Sequence, residues 1–209
     1  MASYITKKIT CPCCGQEFEG RVLKGFFQNN VMGLDRNPHT PAIYDSIIMC
    51  PHCEYASTNM NKPVDDSTKR FIYTAPYLEL KNRLRHDSVL LKIVLSAKIF
   101  EELQDFKAAA NTYLLGYWHS IESNARNVEY LSKAIQYYSL YLERNADIDT
   151  AIALIDCLRQ AGNFDEAKET AESLIPYVND LQLKKIVSYE LQLIQTRDDM
   201  PRLVSEVQS

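Results

Sequence analysis

Cys11-Pro12-Cys13-Cys14-Gly15 and Cys50-Pro51-His52-Cys53 are the two stretches on which the fold of this chain turns. Each holds two cysteines three positions apart, the spacing that lets two thiolates from one tight turn point at a common ion. Four such sulfurs complete a tetrahedral zinc site. Proline after the first cysteine presets a turn φ, and Gly15 admits the left-handed residue that turns backbone N–H groups toward the sulfurs. In the second knuckle Glu54 stands where that glycine is expected. Its turn argument is weaker, but its ligand set is unaffected. Six cysteines could also form a disulfide framework, yet a chain that opens without a basic-then-apolar leader favours metal over disulfides.

Working outward from the knuckles, residues 17–23 alternate polar and apolar side chains and read as a hairpin strand, flanked by Ile5 and Ile9. Tyr44 to Met49 reads as the matching strand that delivers Cys50. Between them lies a Gly/Asn/Pro-rich loop from Gln28 to Pro41. Because 35 residues separate Cys14 from Cys50, more than a minimal ribbon needs, the loop is expected to cover the metal site or to carry function. Residues 1–62 are thus a small β zinc ribbon with a long inserted loop. A module of this size buries little apolar area, so the metal should supply much of its folding energy, on the order of 10 kcal/mol.

The order Cys-Pro-x-Cys-Gly-x-x-Phe (Cys11 to Phe18), Asp35-Arg36-Asn37-Pro38, a strand into Cys50-Pro51-His52-Cys53, Tyr55-Ala56 and then helices resembles a bacterial family designated domain of unknown function 2225. The resemblance covers most of the chain. It implies a cytoplasmic zinc-ribbon protein with a tetratricopeptide-like tail, with Cys11, Cys14, Cys50 and Cys53 as the metal ligands, and it implies no activity or substrate.

Composition shifts to Asn, Lys, Pro, Asp and Ser near Pro63, and residues 63–69 read as a linker. Everything beyond, 70–209, has helical grammar. Leu90, Ile93, Val94, Ala97, Phe100 and Leu103 recur on one face, and Asp87 is a plausible N-cap. A turn at Gln104-Asp105-Phe106 leads to a second helix through Ala109, Tyr113 and Trp118. Further helices are expected over 127–145, across the Gly162-Asn163-Phe164 turn, over 180–196 and over 201–207. The Gly162 turn resembles a tetratricopeptide repeat at its turn positions, but Phe106 and Phe164 lie 58 residues apart, not the regular period of about 34. The expected fold is therefore mostly α: a small N-terminal β zinc ribbon, then a tetratricopeptide-like stack of some seven antiparallel helices sharing one core.

Other candidate residues have plainer readings. Cys13 could be a reactive thiol or a spectator. His52 occupies a knuckle position that points outward. His39 with Asp35 and Asp45 could line a second polar site on the loop, Cys157 among leucines reads as core, and His86 and His119 sit at helix ends without a visible catalytic partner. Thirteen tyrosines exceed what a core needs, so Tyr113, Tyr117, Tyr130, Tyr137 and Tyr141 are candidates for an aromatic groove that grips a protein segment.

Absent signals narrow the function. There is no Gly-rich phosphate loop, nucleophile elbow or metalloprotease helix, and four thiolates leave zinc no open position for water. The longest apolar stretch is too short to span a bilayer. The expectation is a non-enzymatic, cytoplasmic adaptor or scaffold that binds a protein partner through the helical stack, with one structural zinc ion. The alternative is a nucleic-acid-binding ribbon. Six basic against five acidic side chains up to Lys62 argue against it, while Lys7, Lys8, Arg21 and Lys24 with Phe26 and Phe27 argue for it. Thiol redox through the cysteine pairs is the third reading, and tight zinc binding would exclude it.

Overall fold

The computed structural model describes residues 2–26 and 31–207. Phe27 and the first three residues of the inserted loop lie outside the described residues. The chain divides into two compact units, one of Met1–Phe27 with Pro41–Arg126 and one of Gln28–Thr40 with Asn127–Ser209. The fold is mostly α, a small N-terminal antiparallel sheet followed by stacked helices.

In unit 1, β1 (Ala2–Thr10) and β2 (Glu17–Phe26) form a two-stranded antiparallel hairpin with Lys7 opposite Gly20 and Thr10 opposite Glu17. A Cβ at Gly20 would meet Ile9 Cδ1 at 2.3 Å, so a larger residue there would displace the tip of that side chain. The second expected strand is shorter than its sequence suggests. Only β3 (Ile48–Met49) is extended, pairing with β4 (Ala56–Ser57), while Pro41–Ser46 is a 3-10 turn that buries Tyr44.

Helices follow after the irregular residues 58–65. The stretch read as a linker, 63–69, contains the start of α1 (Asp66–Phe71), where Asp65 caps the Thr68 N–H at 2.8 Å and Thr68 is buried. α2 (Ala75–Leu84), α3 (Ser88–Glu102) and α4 (Phe106–Glu122) complete the unit. α1 and β4 both pack on α3, and the Tyr77 hydroxyl donates to the Glu54 carbonyl at 3.1 Å. The ribbon is therefore part of the first helical unit, because its own hairpins are too small to bury a core.

Unit 2 contains α5 (Val128–Leu142), α6 (Ile148–Gln160), α7 (Phe164–Leu174) and α8 (Leu181–Gln195). The segment expected as a last helix is a tail with one 3-10 turn, Val204–Glu206. It pairs with the inserted loop: Gly33 bridges Leu203, the Leu34 N–H donates to the Arg202 carbonyl and the Val204 N–H to the Met32 carbonyl, both at 2.8 Å. The loop read as a lid or a site is here an internal tie of unit 2.

The helix boundaries have local causes. Asp65, Asp87, Asp105, Asn127, Asp147 and Asp180 each accept a first-turn N–H, a contribution of about 1 kcal/mol apiece. Gln104 and Gly162 both take left-handed backbone, φ 54° and 78°. After each, an N–H reaches back to close the preceding helix, Asp105 to the Phe100 carbonyl and Asn163 to the Leu158 carbonyl. The likeness of the two turns in sequence is a likeness of backbone.

Candidate metal centre

The turn after β1 and the turn after β3 bring four sulfurs together. The Sγ atoms of Cys11 and Cys53 lie 3.7 Å apart, those of Cys14 and Cys50 3.8 Å, and all four fall within 4.8 Å of one another. An ion about 2.3 Å from four thiolates at tetrahedral angles sets them about 3.8 Å apart. The four cysteines can therefore hold a metal ion. No disulfide joins any of the six cysteines.

Both knuckles have the same backbone. The Cys11 N–H donates to the Gln16 carbonyl and the Gly15 N–H to the Cys11 carbonyl; the Cys50 N–H donates to the Tyr55 carbonyl and the Glu54 N–H to the Cys50 carbonyl, all at 2.9 Å. Glu54 keeps the turn by adopting the left-handed conformation itself, φ 59° beside 74° for Gly15. That costs a non-glycine residue about 1 kcal/mol. The side chain has compensation that glycine would lack, an ion pair with the half-buried Lys81 of α2. Departure from the usual glycine thus ties the second knuckle to the helices.

Cys11, Cys50 and Cys53 are buried and Cys14 is partly so. Burial pushes the Cys11 thiol well above its ordinary value, so taking up an ion would release protons to solvent. Cys13 is partly exposed and lies outside the four-sulfur group, and His52 is exposed.

The other candidates separate. Asp45 belongs to unit 1, where its carboxylate accepts from Lys92 at 3.1 Å and from the Tyr4 hydroxyl at 3.0 Å. Asp35 is buried in unit 2, and His39 is exposed. Asp45 thus belongs to one unit and Asp35 and His39 to the other. Cys157 is fully buried and its thiol is held far above the usual range by burial, as a core residue would be. His86 is exposed, whereas His119 Nε2 lies 2.8 Å from Asp87 Oδ2 and its ring meets Tyr44 edge-on at 5.4 Å. That partner was invisible from sequence, and it ties α4 to the N-cap of α3.

The tyrosine set divides between the units. Tyr113 and Tyr117 on α4 are buried, with the Tyr113 hydroxyl 2.5 Å from Glu101, and this burial withdraws both from any partner surface. Tyr130, Tyr137 and Tyr141 on α5 are half-buried. The Tyr141 hydroxyl donates to Asp147 at 3.3 Å, and Lys133 lies over the Tyr137 ring at 5.8 Å.

Unit 2 contains a polar cluster that sequence reasoning missed. Arg159 is fully buried; its Nε donates to Glu190 at 2.8 Å, Nη2 to Asp156, and Nη1 to the carbonyls of Asp198 and Met200 at 2.7 and 2.8 Å. Gln160 donates to Asp156 at 2.6 Å and to Asp35 at 3.5 Å. The available signal was Asp156-x-x-Arg159 inside an otherwise apolar helix, since charges are almost never buried unless paired.

Among the described residues no helix is long and apolar enough to cross a membrane. Comparison with protein-family models, with curated proteins and with solved structures finds no match to this chain.

Proposed function

We propose that this chain is a non-enzymatic adaptor whose N-terminal unit is organised by one structural zinc ion. The four-sulfur group carries this reading. Four thiolates at tetrahedral separation saturate zinc, so no position is left for a water or a substrate. Soft sulfur ligands select zinc over the hard cations, and six unbridged cysteines suit a reducing compartment such as the cytoplasm. Kinship with the domain of unknown function 2225 family belongs to the same proposal. Its support is the knuckle motif and the order of elements.

A stack of helices is a shape that commonly presents surface to other proteins. Of the five tyrosines named for such a surface, Tyr130, Tyr137 and Tyr141 remain, all half-buried. Of the basic cluster behind the nucleic-acid reading, Arg21 is exposed and lies on the Tyr4 ring, 3.6 Å from its centroid.

The test is metal analysis of the purified chain together with co-purification from its own cells. About one zinc per chain and protein partners that persist at high salt are expected. A metal-free chain with an intact ribbon, or recovery of salt-sensitive nucleic acid in place of protein, would overturn the reading.

A further inference from the structure

Beside the first knuckle, unit 1 carries a groove of about 680 Å³, within the size range of ligand sites. Four consecutive residues of β1, Lys7 to Thr10, line it, against Val22 alone from β2. Successive side chains of a strand point to opposite faces, so a run of four lines a groove only along the strand's edge. Among the described residues β1 pairs with β2 alone. Its outer N–H and C=O groups are a template for a further strand.

Charge and lining decide the occupant. Lys7, Lys8 and Lys69 reach the groove, and no Asp or Glu lines it among the described residues. Lys8 and Lys69 do have partners, Glu17 at 3.8 Å and Asp66 at 3.1 Å, but those carboxylates are 64% and 81% exposed. Pairs standing in solvent contribute almost nothing and exchange readily. The apolar lining is aliphatic, methionine or proline, with no aromatic ring. Single-stranded nucleic acid relies on aromatic platforms for its bases, so this lining favours a peptide. A second copy of the chain fits poorly as well. Edge-to-edge pairing of β1 would set the Lys7-Lys8 pairs of two copies close together, and like charges across a ladder repel.

We propose that this groove docks an extended acidic segment of a partner protein, added to β1 as a third strand. Lys7 and Lys8 point to opposite faces, so the segment carries acidic and apolar side chains on both faces: carboxylates pair with Lys7, Lys8 and Lys69, and apolar side chains rest against Val22, Ile48 and Val64. The inference rests on the adaptor reading and names the partner's chemistry.

The probe is a fluorescein-labelled peptide of about eight residues with glutamate and valine in alternating pairs, which puts both on each face of an extended strand, titrated into the zinc-loaded full chain. Its lysine-for-glutamate counterpart and a uridine octamer serve as comparisons. Saturable binding of the acidic peptide alone is expected, with slowed amide exchange along β1. K7E/K69E should weaken it by about tenfold or more while keeping zinc and helicity. If K7E/K69E loses zinc, K7Q/K69Q makes the same comparison with the smaller change. No saturable binding up to about 1 mM, equal binding by the variant, protection away from β1, preference for the uridine octamer, or self-association of the chain would each overturn the proposal. Co-purification separates the two readings. Protein partners retained by K7E/K69E sink the groove and leave the adaptor standing, whereas a wild-type chain that recovers no protein sinks the adaptor.

Discussion

In unit 1 four sulfurs from two knuckles converge on one point, whereas in unit 2 one guanidinium gathers two carboxylates and two backbone carbonyls. Both arrangements tie segments far apart in the chain. Their energetics differ. Under the proposed reading, the sulfur group would stabilise unit 1 through an ion taken from solution, so its contribution would depend on metal supply and be removable. The Arg159 cluster belongs to the chain itself, and its attraction must first offset the desolvation of several buried charges. Such clusters add little net stability but punish the loss of one member, because what is left is a buried charge without a partner.

Metal removal is the largest expected effect and breaks the first tie. Cys11→Ser or a strong chelator should cost unit 1 up to about 10 kcal/mol and open the ribbon to protease. Slow-exchanging amides in α6 and α8 should persist. Their simultaneous loss would mean that the two ties are not independent.

Breaking the second tie comes next. Arg159→Met leaves Asp156 buried without its cation and should cost about 3 to 5 kcal/mol, read as lost protection in α6 and α8 with metal content unchanged. R159M/D156L should recover most of that loss if desolvation is its source.

Glu190 sharpens the comparison through pH. Burial raises its pKa well above the ordinary value of 4.5, the neighbouring Asp156 charge adds to this, and Arg159 opposes it. Glu190 Oε1 has no donor within reach, and protonation gives this carboxyl a hydrogen to offer Asp156. A raised folded pKa contributes stability that is fully present below the unfolded value and is lost as pH rises through the folded one. Unit 2 should therefore weaken as pH climbs from about 4.5 toward neutrality, on account of this group. Glu190→Gln should flatten that slope, measured by amide exchange of α8 against pH. Unit 1 follows the opposite sign, since protons compete with metal for thiolates and acid should release the ion.

The smallest effect concerns the second knuckle. Glu54→Gly relieves left-handed strain of about 1 kcal/mol and removes the Lys81 ion pair, so the net change in chelator resistance should be close to zero. A large loss would show that the tie to α2, rather than the turn, holds that knuckle.

How much of this was legible follows from distance along the chain. Two cysteines three positions apart, a proline and a glycine specify a knuckle within a handful of residues, because turn geometry is local. The Asp87 cap before the apolar run of α3 was legible for the same reason. What sequence could not show was which segment each locally specified piece joins. Nothing near Asp35 marks it for Gln160, nothing near Met32 marks it for Val204, and of Tyr44 to Met49, which has the composition of a strand, only Ile48–Met49 is extended while Pro41–Ser46 curls into a 3-10 turn that buries Tyr44. Local pattern was enough for the four-cysteine group, the helical grammar and the start of α3 at Asp87. Tertiary structure alone decided that the inserted loop joins the C-terminal unit, that the ribbon shares a unit with α1 to α4, and that Arg159 has its partners. Those choices depend on burying charge and apolar area among residues from 23 positions apart, as Glu54 and Tyr77, to 125, as Asp35 and Gln160, and no local pattern records them.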